Sequence, residues 1–140
     1  MKFDELIQEF DDLDAEEKLE TLMEFSDSLP VLTDEQSAGL RQSFCRVQEC
    51  QTAVFLRVSL EEGRIHLEAD VPRDSPIVRG LVALIAEGVE GSRPEEISDM
   101  PIDLLDQLGL TETLGMVRQR GTRGVLQFIV REVSRLSESR

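Results

Sequence analysis

The chain is poor in the residues on which most metal-dependent and cofactor-dependent proteins rely. Its 140 residues include no tryptophan, no tyrosine, one histidine and two cysteines. These are too few nitrogen and sulfur ligands for the usual zinc sites without added carboxylates, and too few cysteines for an iron–sulfur cluster. The glycines lack the spacing of a nucleotide-binding loop after a strand. We therefore expect no metal, nucleotide or other cofactor on this chain.

Positive charge is also scarce, because 15 lysines and arginines stand against 29 aspartates and glutamates, for a formal net charge of −14. Such a chain repels phosphate backbones and anionic lipid head groups, so nucleic acid and membrane surfaces are poor candidate partners. No apolar run approaches the ~20 residues that span a bilayer, and the N-terminus lacks the blocks of a secretion signal. We expect a cytoplasmic protein whose two cysteines are reduced.

Helical periodicity marks both ends of the chain. Apolar residues recur at helical spacing over residues 2–11, and a second helix is predicted after the N-cap Asp14, with Glu17 placed to complete a capping box. Ser75-Pro76 is typical of a helix start. The helix that follows is apolar on several faces, so we expect it to form the core. Two short helical segments and a final helix are predicted after it.

The middle of the chain changes to the period of strands. Residues 42–48, 52–60 and 63–71 are rich in branched and aromatic residues with fair alternation. Glu61-Glu62-Gly63 supplies a turn, so the last two segments predict an antiparallel hairpin, with the first segment as its third strand. The whole pattern predicts a single α+β domain over residues 1–140, a three-stranded antiparallel sheet flanked by helices.

Of the few reactive side chains, Cys50 is the best candidate for chemistry. It lies in the polar break Gln48-Glu49-Cys50-Gln51 between two predicted strands, where a thiol is expected near the surface and an accessible, ionised thiol is a nucleophile. Cys45, inside the first predicted strand, is expected to be a buried and inert thiol. His66 is expected to be an ordinary exposed strand residue. Five residues of extended chain separate the cysteines too widely for a disulfide.

The residues around Cys50 resemble the motif of a known family. Residues 47–55, VQECQTAVF, are similar to V-x-G-C-x-S-x-V-W, a segment of the SufE sulfur-acceptor proteins of iron–sulfur cluster assembly. Further similar segments follow in the family's order over about residues 20–136: Leu29-Pro30-Val31-Leu32, Ile77-Val78-Arg79-Gly80-Leu81, and Leu110-Thr111 with Leu114, Arg118 and Gly121. The resemblance implies a SufE/NifU-like α+β fold.

The resemblance also implies a persulfide relay. A PLP-dependent cysteine desulfurase would pass sulfur to the thiolate of Cys50, which would carry it to an iron–sulfur cluster scaffold and stimulate the desulfurase. The chain would be an accessory protein with no stand-alone activity. Glu49 and Gln51 would form the loop that contacts the partner. Arg118 would favour the thiolate or contact the partner, or else is simply an exposed arginine at a helix boundary.

One departure from the family pattern bears directly on the thiol. Glu49 stands where the family has glycine, and its carboxylate is expected to raise the pKa of Cys50. Two alternatives to the sulfur carrier stay open. One is a docking protein that modulates a desulfurase without accepting sulfur, and the other is an independent thiol enzyme. The second is the weaker, because there is no C-x-x-C pair and the histidine is poorly placed.

Overall fold

The computed structural model describes residues 1–138 as an α+β arrangement of helices around a hairpin. The helices and strands follow one another in this order: α1 Phe3–Asp11, α2 Ala15–Ser28, α3 Asp34–Leu40, β1 Phe55–Glu61, β2 Arg64–Asp70, α4 Pro76–Val89, α5 Leu104–Leu108 and α6 Thr111–Glu138. Short 3₁₀ helices occupy Ser43–Cys45 and Pro94–Asp99. No helix in this described part is both long and apolar enough to cross a membrane.

The helix starts follow from local side-chain chemistry. Asp14 accepts from the Glu17 backbone N–H at 2.9 Å while the Glu17 side chain accepts from the Asp14 backbone N–H at 3.0 Å, which confirms the predicted capping box. The same box, made by Thr33 and Gln36, starts α3. Sequence periodicity did not predict α3, because this helix has only seven residues and buries only Leu40.

The hairpin has the register that its alternation predicts. β1 and β2 pair antiparallel from Phe55↔Asp70 to Glu61↔Arg64. Glu62 and Gly63 form the two-residue turn with φ of 53° and 76°, as a primed turn requires. On the core side of the hairpin the buried residues are Leu56, Val58, Ile65, Leu67 and Ala69, while the alternate positions, including Phe55, are exposed or half-buried.

The predicted third strand is absent, so the three-stranded sheet was wrong. Within residues 1–138 the sheet has two strands, and residues 42–48 instead form the 3₁₀ turn Ser43–Cys45 and one isolated bridge, Arg46↔Phe55. The alternation of apolar and polar residues that suggested a strand does correspond to alternating burial, since Cys45 and Val47 are buried while Phe44 is 77% exposed. Alternating burial alone, however, does not make a strand, which requires a ladder of backbone hydrogen bonds to a partner.

Helix α4 is the central element of the core, as its all-round apolar sequence predicts. Gly80 lies directly against the backbone of Leu22, so α2 packs on α4 with no side chain between them at this point. The buried Arg79 side chain donates hydrogen bonds to three backbone carbonyls, those of Ser26, Leu29 and Val71, at 3.2, 3.0 and 2.7 Å. These hydrogen bonds of Arg79 link the C-terminal ends of α2 and β2 to the first turn of α4.

Helix α6 closes the molecule beside the hairpin. It is interrupted near its start at Gly115, whose φ of 81° and ψ of 174° are not helical. Beyond this kink the helix presents Val125, Leu126 and Ile129 to the core. Its two glycines at 121 and 124 are buried and lie one helical turn apart. The Cys50 loop packs against this strip of α6, the surface at Gly121 and Gly124 that carries no side chains.

Candidate functional site

Cys50 lies in a loop that two contacts close at its base. The Val47 N–H donates to the Val54 carbonyl at 2.9 Å, and the bridge between Arg46 and Phe55 lies just outside this bond. Inside the loop, the Cys50 N–H donates to the Val47 carbonyl at 3.2 Å. The predicted loop position of Cys50 is therefore confirmed, on a short segment anchored at the start of β1.

The expected exposure of the thiol is wrong. Cys50 is only 9% exposed, and its Sγ donates to the backbone carbonyl of Gly121 on α6 at 3.5 Å. A Cβ at position 121 would lie 3.1 Å from that sulfur, so the absence of a side chain there is what lets the thiol approach the helix. The loop is folded inward, with its cysteine against α6.

Glu49 packs beside the thiol on the same strip of α6. A Cβ at Gly124 would lie 2.6 Å from the Glu49 Cβ, so this second glycine leaves room for the glutamate. The Glu49 Oε1 atom is buried and has no hydrogen-bond partner among the described residues. A buried polar oxygen without a donor is unfavourable by about 1–3 kcal/mol, and by more where it carries charge. The inward position of the loop therefore has one unfavourable feature, the unpartnered Glu49 oxygen next to Cys50.

Cys50 lines a cavity of about 490 Å³ between the loop, α4 and α6. The α4 wall is apolar and includes Leu81, Val82 and Ile85. Arg118, Gln51 and Cys50 all line this cavity, so the structure brings three of the four predicted site residues to one place. Arg118 and Gln51 are exposed at its rim, whereas Glu49 lies next to the cavity, against Gly124.

The surroundings of Cys50 hold its thiol in the protonated form. Burial, and after it the Glu49 carboxylate, raise the pKa of Cys50 to about 11, while the Arg46 guanidinium opposes them by lowering it. Glu49 raises the pKa of Cys50, as its charge predicted. The contribution of Arg46 was not predicted, although the residue lies only four positions before the cysteine. Its guanidinium carbon is 5.9 Å from the centre of the Phe55 ring, at the base of the loop.

The other candidate side chains lie elsewhere. Cys45 is a buried free thiol, as predicted, and burial raises its pKa. The His66 ring contacts the Glu90 carboxylate at 3.0 Å, and this hydrogen bond raises the pKa of His66. His66 does not line the cavity of Cys50. Within residues 1–138 no three His, Cys, Asp or Glu side chains are grouped so as to hold a metal ion.

A family profile and a comparison with curated proteins agree on the family of this chain. The sequence profile of the SufE family, described as an Fe-S metabolism associated domain, matches residues 4–133. The sulfur acceptor protein CsdE of Escherichia coli is 31% identical over 117 residues, covering 82% of this chain and 76% of that protein. An uncharacterised SufE-like protein of Mycobacterium tuberculosis is 28% identical over 130 residues, covering 92% and 89%.

The fold has a solved counterpart. The solution structure of a hypothetical protein from Thermus thermophilus superimposes with a TM-score of 0.82 at 27% sequence identity, covering 98% of this chain and 96% of that one. The whole arrangement of helices and hairpin is thus shared, and not only the segment around Cys50.

Proposed function

Because this chain belongs to the SufE family, we propose that it is a sulfur acceptor that carries sulfur as a persulfide on Cys50. The donor is a PLP-dependent cysteine desulfurase, and the recipient is a scaffold for iron–sulfur cluster assembly. The chain itself is an accessory protein, which contributes a thiol and a docking surface and needs no cofactor of its own. The observation that carries the proposal is a loop cysteine folded over a cavity of about 490 Å³.

The transfer step needs no oxidant or reductant. The Cys50 thiolate attacks the outer sulfur of the donor's cysteine persulfide, and a new bond forms between the two sulfurs. The bond within the donor persulfide breaks, and the donor cysteine leaves as a thiolate that takes up a proton. The oxidation level of the persulfide passes unchanged from one protein to the other, and delivery to the scaffold repeats the exchange.

The cavity supports the proposal through its size and its apolar wall. A persulfide is a reactive group that other thiols attack readily, and a carrier has to protect it between donor and scaffold. In its inward position against α6, Cys50 is only 9% exposed, so its sulfur is largely shielded from bulk thiols. The same shielding hinders approach of the donor cysteine, so in the proposed role sulfur transfer requires the loop to move outward.

The rim of the cavity supplies a docking surface. Met116 is 78% exposed and Val117, which lines the cavity, is 54% exposed. Three exposed arginines follow on the same stretch of α6 at positions 118, 120 and 123, although the chain as a whole carries a net charge of −14. Apolar side chains bordered by arginine are enriched in the cores of protein interfaces. A desulfurase bound here would lie directly over the Cys50 loop.

Sulfur transfer from a desulfurase tests the carrier role. The protein is mixed with a desulfurase, PLP and L-cysteine labelled with radioactive sulfur. Label is expected on Cys50, is released by dithiothreitol, and is unchanged in Cys45→Ser, which serves as the matched control. Cys50→Ser is expected to lose the label. Equal labelling of Cys50→Ser, or no labelling with the cognate desulfurase, would show that Cys50 is not a carrier.

A docking protein that never accepts sulfur is the second candidate, and the structure offers one observation in its favour. Glu49 holds a negative charge beside Cys50 where the family has glycine, and the pKa of the thiol is raised to about 11. The same variant separates the two roles. A docking protein keeps its stimulation of the desulfurase in Cys50→Ser, whereas a carrier loses it.

A further inference from the structure

The outer edge of β2 carries unpaired backbone groups. The Ile65 N–H donates to Ser92 O at 2.8 Å, and the Ile65 carbonyl accepts from the Gly91 N–H at 2.9 Å. The backbone N–H and carbonyl of Ile65 therefore point away from β1. Because the direction of these groups alternates along an antiparallel strand, the N–H and carbonyl groups of Leu67 and Ala69 point to the same outer edge. In the described part of the chain, no hydrogen bond reaches the N–H or carbonyl of Ala69, or the carbonyl of Leu67.

This edge opens into a second cavity, of about 570 Å³, which we call the edge groove. The segment after α2 contributes Leu29, Pro30 and Leu32 to its lining, and α4 contributes Ala83 and Ala86. None of these residues lines the cavity of Cys50, which uses Leu81, Val82 and Ile85 on a different face of α4. The alanines are small enough to let another backbone approach β2 closely.

The rim of the edge groove is acidic, and one of its charges has no partner. Glu68 is paired with Arg57 at 3.0 Å, and Glu90 contacts His66 at 3.0 Å. Glu87 is exposed and has no ion pair or hydrogen bond among the described residues. An exposed carboxylate beside an open strand edge complements a lysine or arginine on an incoming strand.

We propose that the edge groove binds an extended segment of a partner protein as a third strand on β2. The recognised segment alternates small apolar residues, which contact Ala83 and Ala86, with basic residues, one of which pairs with Glu87. Its backbone bonds to Ala69 and to the Leu67 carbonyl, on residues that line the groove and are each 7% exposed, in the manner of strand addition at a sheet edge. The proposal goes beyond sulfur transfer, because nothing in it depends on Cys50.

The test uses the full chain and a defined probe, a fluorescein-labelled eight-residue peptide in which lysine alternates with valine. The peptide is titrated at low salt and followed by fluorescence anisotropy. The Leu67 and Ala69 amides are followed in parallel by nitrogen-15 NMR, in which their resonances are expected to shift. A peptide with proline in place of valine keeps the charge but removes backbone donors. It is expected to bind at least about fivefold more weakly.

A charge-matched pair of variants separates the groove from general attraction to an acidic protein. Glu87→Lys and Glu9→Lys change the net charge equally, and each replaces an exposed glutamate in the last turn of a helix. Glu87→Lys is expected to weaken binding about tenfold, while Glu9→Lys changes it less than about twofold and Cys50→Ser leaves it unchanged. Equal effects of the two glutamate variants, or amide shifts confined to other residues, would overturn the proposal. So would a dimer formed without peptide, seen by sedimentation, if the Leu67 and Ala69 amide resonances shift as the protein is concentrated.

Discussion

The thiol of Cys50 makes stability depend on pH in a range where few other groups of this chain titrate. Its pKa is raised from 9.0 to about 11 in the folded protein. Above about pH 9 the unfolded chain releases this proton and the folded chain keeps it, so the unfolded state is favoured as the pH rises. The stability that the protonated Cys50 thiol contributes is fully present below the pKa of the thiol in the unfolded chain. It is lost as the pH rises through the pKa of the thiol in the folded protein. Two pKa units correspond to about 2.7 kcal/mol.

The measurement compares the wild type with Cys50→Ser by urea unfolding, with reductant present, between about pH 8 and pH 11. Far-ultraviolet circular dichroism is the suitable signal, because the chain has no tryptophan or tyrosine. The absence of tyrosine, and the presence of only two lysines, Lys2 and Lys18, keeps the alkaline background small. We expect the wild type to lose about 2–3 kcal/mol of unfolding free energy relative to the variant across this range.

Titration of Cys45 cancels in this comparison, since both proteins contain it. A difference between wild type and variant that stays constant with pH would refute the reasoning, because it would mean that Cys50 titrates alike in both states. The same shift predicts that thiolate at neutral pH is about 100-fold scarcer than for a thiol of pKa 9.0. Alkylation of Cys50 by iodoacetamide should accordingly keep rising with pH well above 9 in the folded protein, but level off near 9 in urea.

Two further substitutions test contacts on either side of α4. Glu49→Gln removes the charge that raises the pKa of Cys50, so the pH profile of alkylation should move to lower pH. An unchanged profile would contradict the assigned cause. Arg79→Met leaves the carbonyls of Ser26, Leu29 and Val71 without their donor and should lower the unfolding free energy by about 3–5 kcal/mol. The exposed Arg73→Met is the control, and equal unfolding midpoints would contradict the role of Arg79.

Local sequence signals predicted those elements whose cause is local. The β1–β2 hairpin follows from alternation on both sides of Glu62-Gly63, and the start of α2 follows from the Asp14 and Glu17 pair. The third strand failed because a strand is defined by hydrogen bonds to a partner, and alternation over residues 42–48 says nothing about the partner. Helix α3 was missed because seven residues with one buried leucine give no detectable period.

In the candidate site, too, the features with a local cause were predicted and those that depend on distant residues were not. The polar break in the sequence located the loop of Cys50, and the charge of Glu49 gave the direction of its effect on the thiol. Burial of the thiol was not predictable from these residues. It depends on Gly121 and Gly124, about seventy positions away on α6, whose missing side chains matter only once the helix is packed beside the loop. Glycines one turn apart in an otherwise helical stretch were the only sequence signal of that contact.

The proposed carrier has to keep its sulfur unreactive when alone and reactive when docked, and two opposing features of the loop bear on this change. Burial of the Cys50 side chain favours the inward loop by about 1–2 kcal/mol, and its sulfur adds only a weak hydrogen bond to Gly121. The unpartnered Glu49 Oε1 opposes this position by about 1–3 kcal/mol, and by more when the carboxylate is ionised. These two contributions oppose each other, so in the proposed role a partner bound at the cavity rim would turn the loop outward against only part of the burial energy of Cys50. Outside, Glu49 regains water and the thiol loses the burial that raises its pKa.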